Sequence, residues 1–173
     1  MPRARSAFTL IELLIVIAII GLIATIALVG LSGARAKSRD QKRLTDLKQI
    51  QKGLELSFEP GAGYPVVPGP IILGAATDDV LCGKGAIAQF AADTSAANCD
   101  SGKTFMATVP SNPVPGGANY RYVSTDALGA ACTTAPCNGY CVQTMLEGAA
   151  SSLDLNAGTI IADQTALKNG TCP

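Results

Sequence analysis

From Leu13 to Leu31 the chain runs for 19 residues without a charge, almost entirely Ile, Leu, Val and Ala. At about 1.5 Å rise per residue, such a run spans roughly 28 Å as a helix, close to the hydrocarbon thickness of a bilayer. No Pro interrupts it, and Gly21, Gly30 and Gly33 are residues that helices tolerate where they pack closely. A helix that is apolar on every face does not suit water, so this segment predicts a membrane-spanning helix. Counting from Phe8 adds about one more turn. A secretory signal peptide is the competing interpretation. It has an apolar core of about 7–15 residues followed by a small-residue cut site. Here the run is longer, and Leu31-Ser32-Gly33-Ala34-Arg35 offers no such site.

The remaining charges divide the 173 residues into two dissimilar parts. Residues 1–52 carry nine basic side chains against three acids, whereas the other 121 carry four against ten, with all six Cys and nine of the ten Pro. The zero net charge is therefore the sum of a basic, apolar stem and an acidic head. It argues against attachment to nucleic acid or membrane by bulk charge. The chain has no His, which excludes Ser-His-Asp, Cys-His and His-ligated zinc chemistry. It also lacks a phosphate-cradling Gly loop with a Lys. Asp78, Asp79, Asp93, Asp100 and Glu147 are expected on a solvated acidic surface rather than as an acid–base pair. Neither an enzyme nor a cofactor is expected.

Glu12 is the anomaly of the stem, because a carboxylate near the centre of a membrane helix costs about 2.5–3.5 kcal/mol. A position at the helix end, open to water or headgroups, would relieve that cost. The residues leading to it are Ser6-Ala7-Phe8-Thr9-Leu10-Ile11-Glu12, followed by Leu13-Leu14-Ile15-Val16-Ile17-Ala18-Ile19-Ile20-Gly21. This segment resembles the cleavage and methylation motif of type IV prepilins and secretion pseudopilins. The resemblance implies a leader over residues 1–7, carrying Arg3 and Arg5, with the cut between Ala7 and Phe8 and N-methylation of Phe8. It also implies that Glu12 accepts the new α-amine of a neighbouring subunit and so sets axial register during assembly. Pairing within one chain is the alternative, since four residues place amine and carboxylate on one helix face. Two positions depart from the family pattern: Ala7 replaces the usual Gly before the cut, and Val29 stands where many pilins have a helix-kinking Pro. The second departure predicts a straighter helix.

Beyond Gly33 the periodicity becomes amphipathic: Ala36, Leu44, Leu47, Ile50, Leu54 and Phe58 form a narrow apolar stripe that ends before Pro60-Gly61. One helix is therefore expected over residues 8–58, roughly 75 Å long, with a membrane half at 8–33 and an amphipathic half at 34–58. The cluster Arg35, Lys37, Arg39, Lys42, Arg43 lacks the interleaved aromatics of a nucleic-acid site, so no specific nucleic-acid partner is expected. By the positive-inside rule it would mark a cytoplasmic flank. The cysteines and the cleavage motif point instead to an extracytoplasmic head with the N-terminus on the cytoplasmic side.

The head is expected to be α+β with the long helix: a small antiparallel sheet over 120–173 packed on the helix, joined by a mostly irregular connection over 59–119. Alternating runs at Tyr120–Ser124, Tyr140–Leu146 and Gly158–Ala162 are the candidate strands, and a helical stretch is expected around Asp78–Ala91. Val109-Pro110, Asn112-Pro113, Tyr120 and Tyr122 resemble the entry of a pilin-like head into its sheet. In pseudopilins an Asp commonly precedes that second Pro near a calcium site; here Asn112 takes the place. Cys82, Cys99, Cys132, Cys137, Cys141 and Cys172 predict three disulfides in an oxidising compartment. Fifteen pairings are possible. Cys82–Cys99 is the expected loop staple, and a zinc site on Cys132, Cys137, Cys141 and Cys172 is the rival. Asn169-Gly170-Thr171 is a glycosylation-type tripeptide.

The resemblance implies a filament subunit, with copies of itself, prepilin peptidase, a membrane platform and its assembly ATPase as partners, and membrane lipid as its surroundings before assembly. A type IV pilus and a type II secretion pseudopilus are both open at this point. From a different class, a membrane-tethered binding module remains the alternative.

Overall fold

The computed structural model describes residues 8–100, 102–114 and 119–173. The expected leader, Ala7 included, lies outside the described residues, and so does the side chain of Val29. The chain separates into two compact units, Met1–Lys37 and Ser38–Pro173. A single α-helix, α1, runs over Leu10–Ser57 and contributes to each.

In the first unit α1 is the apolar segment itself. Its described large side chains, from Leu10 to Ile26, are all exposed, and the most apolar 18-residue window has mean hydropathy 3.0 with no residue buried inside the chain. The helix is long and apolar enough to cross a membrane. The hydroxyl of Thr25 is satisfied locally, donating to the Leu22 carbonyl at 2.8 Å.

Among the described residues of the second unit, eight strands form two antiparallel sheets. The larger has the order β1-β5-β6-β7-β8, from Ile71–Ile72, Arg121–Thr125, Gly139–Leu146, Gly158–Ala162 and Leu167–Asn169. Its register is set by pairs such as Val123 with Cys141 and Val142 with Ala162. Along β6, Tyr140, Val142, Thr144 and Leu146 are buried on one face, while Cys141, Gln143 and Met145 take the other. The first face meets the α1 stripe: Leu44, Leu47, Ile50 and Leu54 are all under 5% exposed and share one core with Tyr120, Tyr122, Tyr140, Val142, Leu146 and Ile160. Of the predicted stripe, Ala36 is only partly covered and Phe58 is 41% exposed.

The connection expected to be irregular holds four of the eight strands. The helical stretch expected around Asp78–Ala91 is instead a β-hairpin, β2 (Val80–Lys84) with β3 (Ile87–Ala91), and β4 (Thr104–Met106) pairs on the other side of β2. Short apolar runs do not distinguish helix from strand by periodicity alone. What decides it is Gly85, whose φ of 65° makes the tight two-residue turn, and the Cys82–Cys99 disulfide that ties β2 to the loop beyond β3. At the chain reversal after α1, Gly63 (φ 79°) lies against the Cys132–Cys137 loop. A Cβ there would stand 2.2 Å from the Cys137 carbonyl oxygen.

All six cysteines are paired: Cys82–Cys99, Cys132–Cys137 and Cys141–Cys172. The four sulfurs of the rival zinc site are thus bonded to one another, which leaves no thiolate ligand. Cys141 points away from the core on β6, so its bond to Cys172 staples the C-terminal segment to the outer sheet face. The Cys172 amide also donates to Gln143 there at 2.8 Å.

The four tyrosines of the chain are all buried, and each hydroxyl has an acceptor. Tyr120 donates to Asp46, Tyr122 to the Pro65 carbonyl, and Tyr64 and Tyr140 to the two oxygens of Glu55. Burial, reinforced by Glu55, pushes the Tyr64 hydroxyl up to about 12. All four phenols are therefore neutral donors at physiological pH. Leu47 is fully buried at the centre of the α1 stripe. Leu47→Ala is expected to lower the head's unfolding free energy by about 2–5 kcal/mol, measured by denaturant titration of the detergent-solubilised chain.

Candidate functional site

Among the described residues two places are chemically distinctive, one at the start of α1 and one on its buried face in the second unit. At the start, Thr9 precedes the first helical residue and Glu12 lies in the first turn. The Thr9 amide and hydroxyl both donate to Glu12 Oε2, at 2.9 and 2.8 Å, and the Glu12 amide donates back to Thr9 Oγ1 at 3.3 Å. This is a capping box: Thr-x-x-Glu satisfies amides that the first turn leaves without intrahelical partners. It holds the carboxylate at the helix end, where the backbone dipoles favour negative charge. Phe8, one residue before the cap, is 84% exposed. Glu12 is therefore at the end of the apolar span rather than at its centre, and Thr9 is the partner that sequence reasoning missed. The signal was present in the spacing Thr9-Leu10-Ile11-Glu12.

The prokaryotic N-terminal methylation motif matches the chain over residues 2–28. The chain carries the type IV pilin and pseudopilin signature. That signature contains the capping box and most of the uncharged run, so the pilin-type segment and the exposed apolar helix are one object. It implies processing by prepilin peptidase and assembly into pilus-type filaments, and the proteins that bear it are structural rather than enzymatic. No curated protein and no solved structure matches the chain.

On the buried face of α1, the chain carries a polar cluster whose members sequence reasoning placed in solvent. Arg43 has no exposed surface. Its Nη1 donates to Asp40 Oδ1 at 2.6 Å and to Glu147 Oε1 at 2.7 Å, its Nε to Asn112 Oδ1 at 2.9 Å, and its Nη2 to the Pro113 carbonyl at 3.2 Å. Arg39 grips Glu147 from the other side, with Nε to Oε1 at 2.8 Å and Nη2 to Oε2 at 2.5 Å. Asp40 in turn accepts the amides of Glu147 and Gly148 at 3.0 and 2.8 Å. Three side chains of one helix turn thus hold the end of β6 and the segment before β5. Arg39 and Arg43 belong to this network, which removes them from the free basic flank that the positive-inside argument assumed. Glu147 stays at the surface, as expected of it, but is tied into this ion cluster. Residues 40 and 43 lie on the same stripe as Leu47, Ile50 and Leu54, and that placement was the legible sign that both would be buried.

Among the described residues, no group of three or more His, Cys, Asp or Glu side chains is arranged to hold a metal ion. Asp93 and Asp100 cap turns: Asp93 accepts from Ser95 and Asn98, and Asp100 from the Gly85 amide.

The hydrogen bonds from Arg39 and then Arg43 hold the Glu147 carboxyl down at about 2, against an ordinary 4.5. A carboxyl whose affinity for protons falls on folding stabilises the fold above its unfolded value and loses that contribution as pH drops through the folded one. The acid loss is therefore expected between about pH 4.5 and 2. Asp163, lowered against its own burial by Lys168, Thr165 and Ala166, fades in the same direction. Glu147→Gln is expected to be less stable at pH 7 and to show a flatter stability profile across that window, as read by thermal melts at stepped pH. Arg43→Ala leaves Asp40 buried without its cation and is expected to cost about 3–5 kcal/mol in the same assay.

Proposed function

We propose that this chain is the structural subunit of a type IV pilus-like filament, assembled through its N-terminal helix after the leader is cut between Ala7 and Phe8. The observation that carries this reading is the pilin-type motif at the head of a helix whose first part is apolar on every face, with its described side chains from Leu10 to Ile26 all exposed. Before assembly that surface is served by membrane lipid; afterwards it is served by the same helix of other copies. The head sits on the extracytoplasmic side, where its three disulfides persist. Prepilin peptidase, a membrane platform and an assembly ATPase are the partners, and the chain has no catalytic role of its own.

Processing turns Phe8 into a free, N-methylated amine four residues before Glu12. The capping box keeps the carboxylate at the helix end with its bonds on Oε2, and Glu12 takes up the amine of the neighbouring copy. In an apolar surrounding an unpaired charge is costly, so only a subunit docked at the correct axial level neutralises both groups.

A pilus is preferred over a secretion pseudopilus because of Asn112. Where pseudopilins commonly place an Asp beside a calcium site, this chain has an amide already engaged by the Arg43 guanidinium.

Intact-mass measurement on filaments is expected to give a chain beginning at Phe8, one methyl heavier and six hydrogens lighter than the reduced sequence. Retention of Met1 in filaments, or a cut beyond Leu31, overturns the processing assignment. Glu12→Gln is expected to be processed and to enter the membrane at least as well as the wild type, since it removes a charge from the span. It should nevertheless be depleted from filaments. Equal partitioning between membrane and filament pools would refute the assembly role of the carboxylate.

A further inference from the structure

Within the second unit, the three acids of α1 all have partners inside the chain. Asp40 and Asp46 are turned into the core at 5% and 6% exposure, where Arg43 and Tyr120 satisfy them, and the exposed Glu55 accepts the hydroxyls of Tyr64 and Tyr140. The solvent face keeps Lys42, Lys48 and Lys52, all exposed. None of the four ion pairs among the described residues uses them. Lys48 and Lys52 lie four residues apart, a like-charge spacing that opposes the isolated helix. One turn further on the same line is Leu56, which remains 67% exposed. An apolar side chain in line with two cations that no ion pair among the described residues uses is thus left on a helix whose opposite face is packed in the core.

The complementary charge is on the same chain. Beyond residue 52 there are ten acids against four bases. In the three-stranded sheet, the pairing of Val80 with Ala91 brings Asp78 and Asp79, just before β2, beside Asp93, just after β3. Lys84 and Lys103 are drawn to the opposite end, where they bind the Ala96 and Gly85 carbonyls. The hairpin therefore presents an acidic end that has no ion pair among the described residues.

We propose that the Lys42–Lys48–Lys52–Leu56 face of α1 docks on the Asp78–Asp79–Asp93 end of the hairpin of a second copy of this chain. The two surfaces are different patches of one molecule, so the contact is heterologous. Repeated without closure, such a contact produces an open polymer rather than a two-fold dimer. Opposite charges guide the encounter and reject other registers, and Leu56 supplies the dry contact. This deepens the filament reading and rests on it: the proposal names a head-level contact alongside the one at Glu12.

The test uses the full-length chain in cells that assemble it, comparing subunit in sheared filaments with subunit in membranes. Lys48→Glu with Lys52→Glu is expected to lower that ratio about tenfold by setting like charges against each other, and Asp78→Lys with Asp79→Lys by a similar factor. Combining all four in one chain restores opposite signs and is expected to recover most of the assembly. Recovery separates docking from misfolding, since two merely damaging pairs would add. A benzophenone amino acid in place of Leu56 is expected to crosslink one copy to the segment around residues 78–93 of another. Unchanged assembly by both reversed pairs, absence of recovery in the fourfold variant, or crosslinks that fall elsewhere each overturn the docking proposal while leaving wild-type filaments intact. A wild-type chain that is never found in filaments overturns the filament reading, and the docking contact with it.

Discussion

The fully buried guanidinium of Arg43 is the interaction on which the head depends. A cation enclosed by protein is tolerated only where carboxylates and carbonyls take up its donors, and here Asp40, Glu147, Asn112 and Pro113 do so from three separate segments. The requirement fixes the register of α1 against the sheet. A shift by one residue would leave Arg43 and Asp40 buried among apolar side chains. The apolar stripe alone imposes no such precision, because Leu44, Leu47, Ile50 and Leu54 would pack against many positions of a sheet.

The remaining polar groups of the interface follow the same rule. Asp46 and Glu55 receive tyrosine hydroxyls, and Tyr122 reaches the Pro65 carbonyl. Large rings fill the space between helix and strands while their polar tips are satisfied at the edges. Within the described residues no buried side-chain nitrogen or oxygen is left without a partner. The disulfides fasten loops and the C-terminal segment to the sheets. One ties the hairpin to its following loop, one closes the short loop against Gly63, and one pins the C-terminal segment to the outer sheet face.

At the other end of the helix a single pair of residues meets two requirements. Thr9 and Glu12 close the capping box that starts α1, and the same two residues lie within the N-terminal methylation motif at the edge of the apolar span. A residue that appears costly when counted as a charge in a membrane helix is inexpensive at the helix terminus, where free amides face it.

The stem was legible because its signals are local. Nineteen uncharged residues, Phe-Thr-Leu-Ile-Glu before them and a 3.6-residue stripe after them need no partner elsewhere in the chain to be recognised. The three later strands, Arg121–Thr125, Gly139–Leu146 and Gly158–Ala162, were readable for the same reason, through alternation and flanking turns. The hairpin at 80–91 was not, because its apolar run suits a helix equally well and only a turn at Gly85 and a distant cysteine decide between them. Nor did composition distinguish Arg43 from Lys42: adjacent cations have the same charge, but the helix rotation sends one to the core and the other to solvent. Sequence by itself determined what is covalent and periodic: the motif, the span, the stripe and the number of cysteines. Tertiary structure decided which charges are buried, which sulfurs meet and where Glu147 acts, since none of these follows from local pattern: Arg43 and Glu147 stand 104 residues apart and are brought within hydrogen-bond distance only by the packing of helix on sheet.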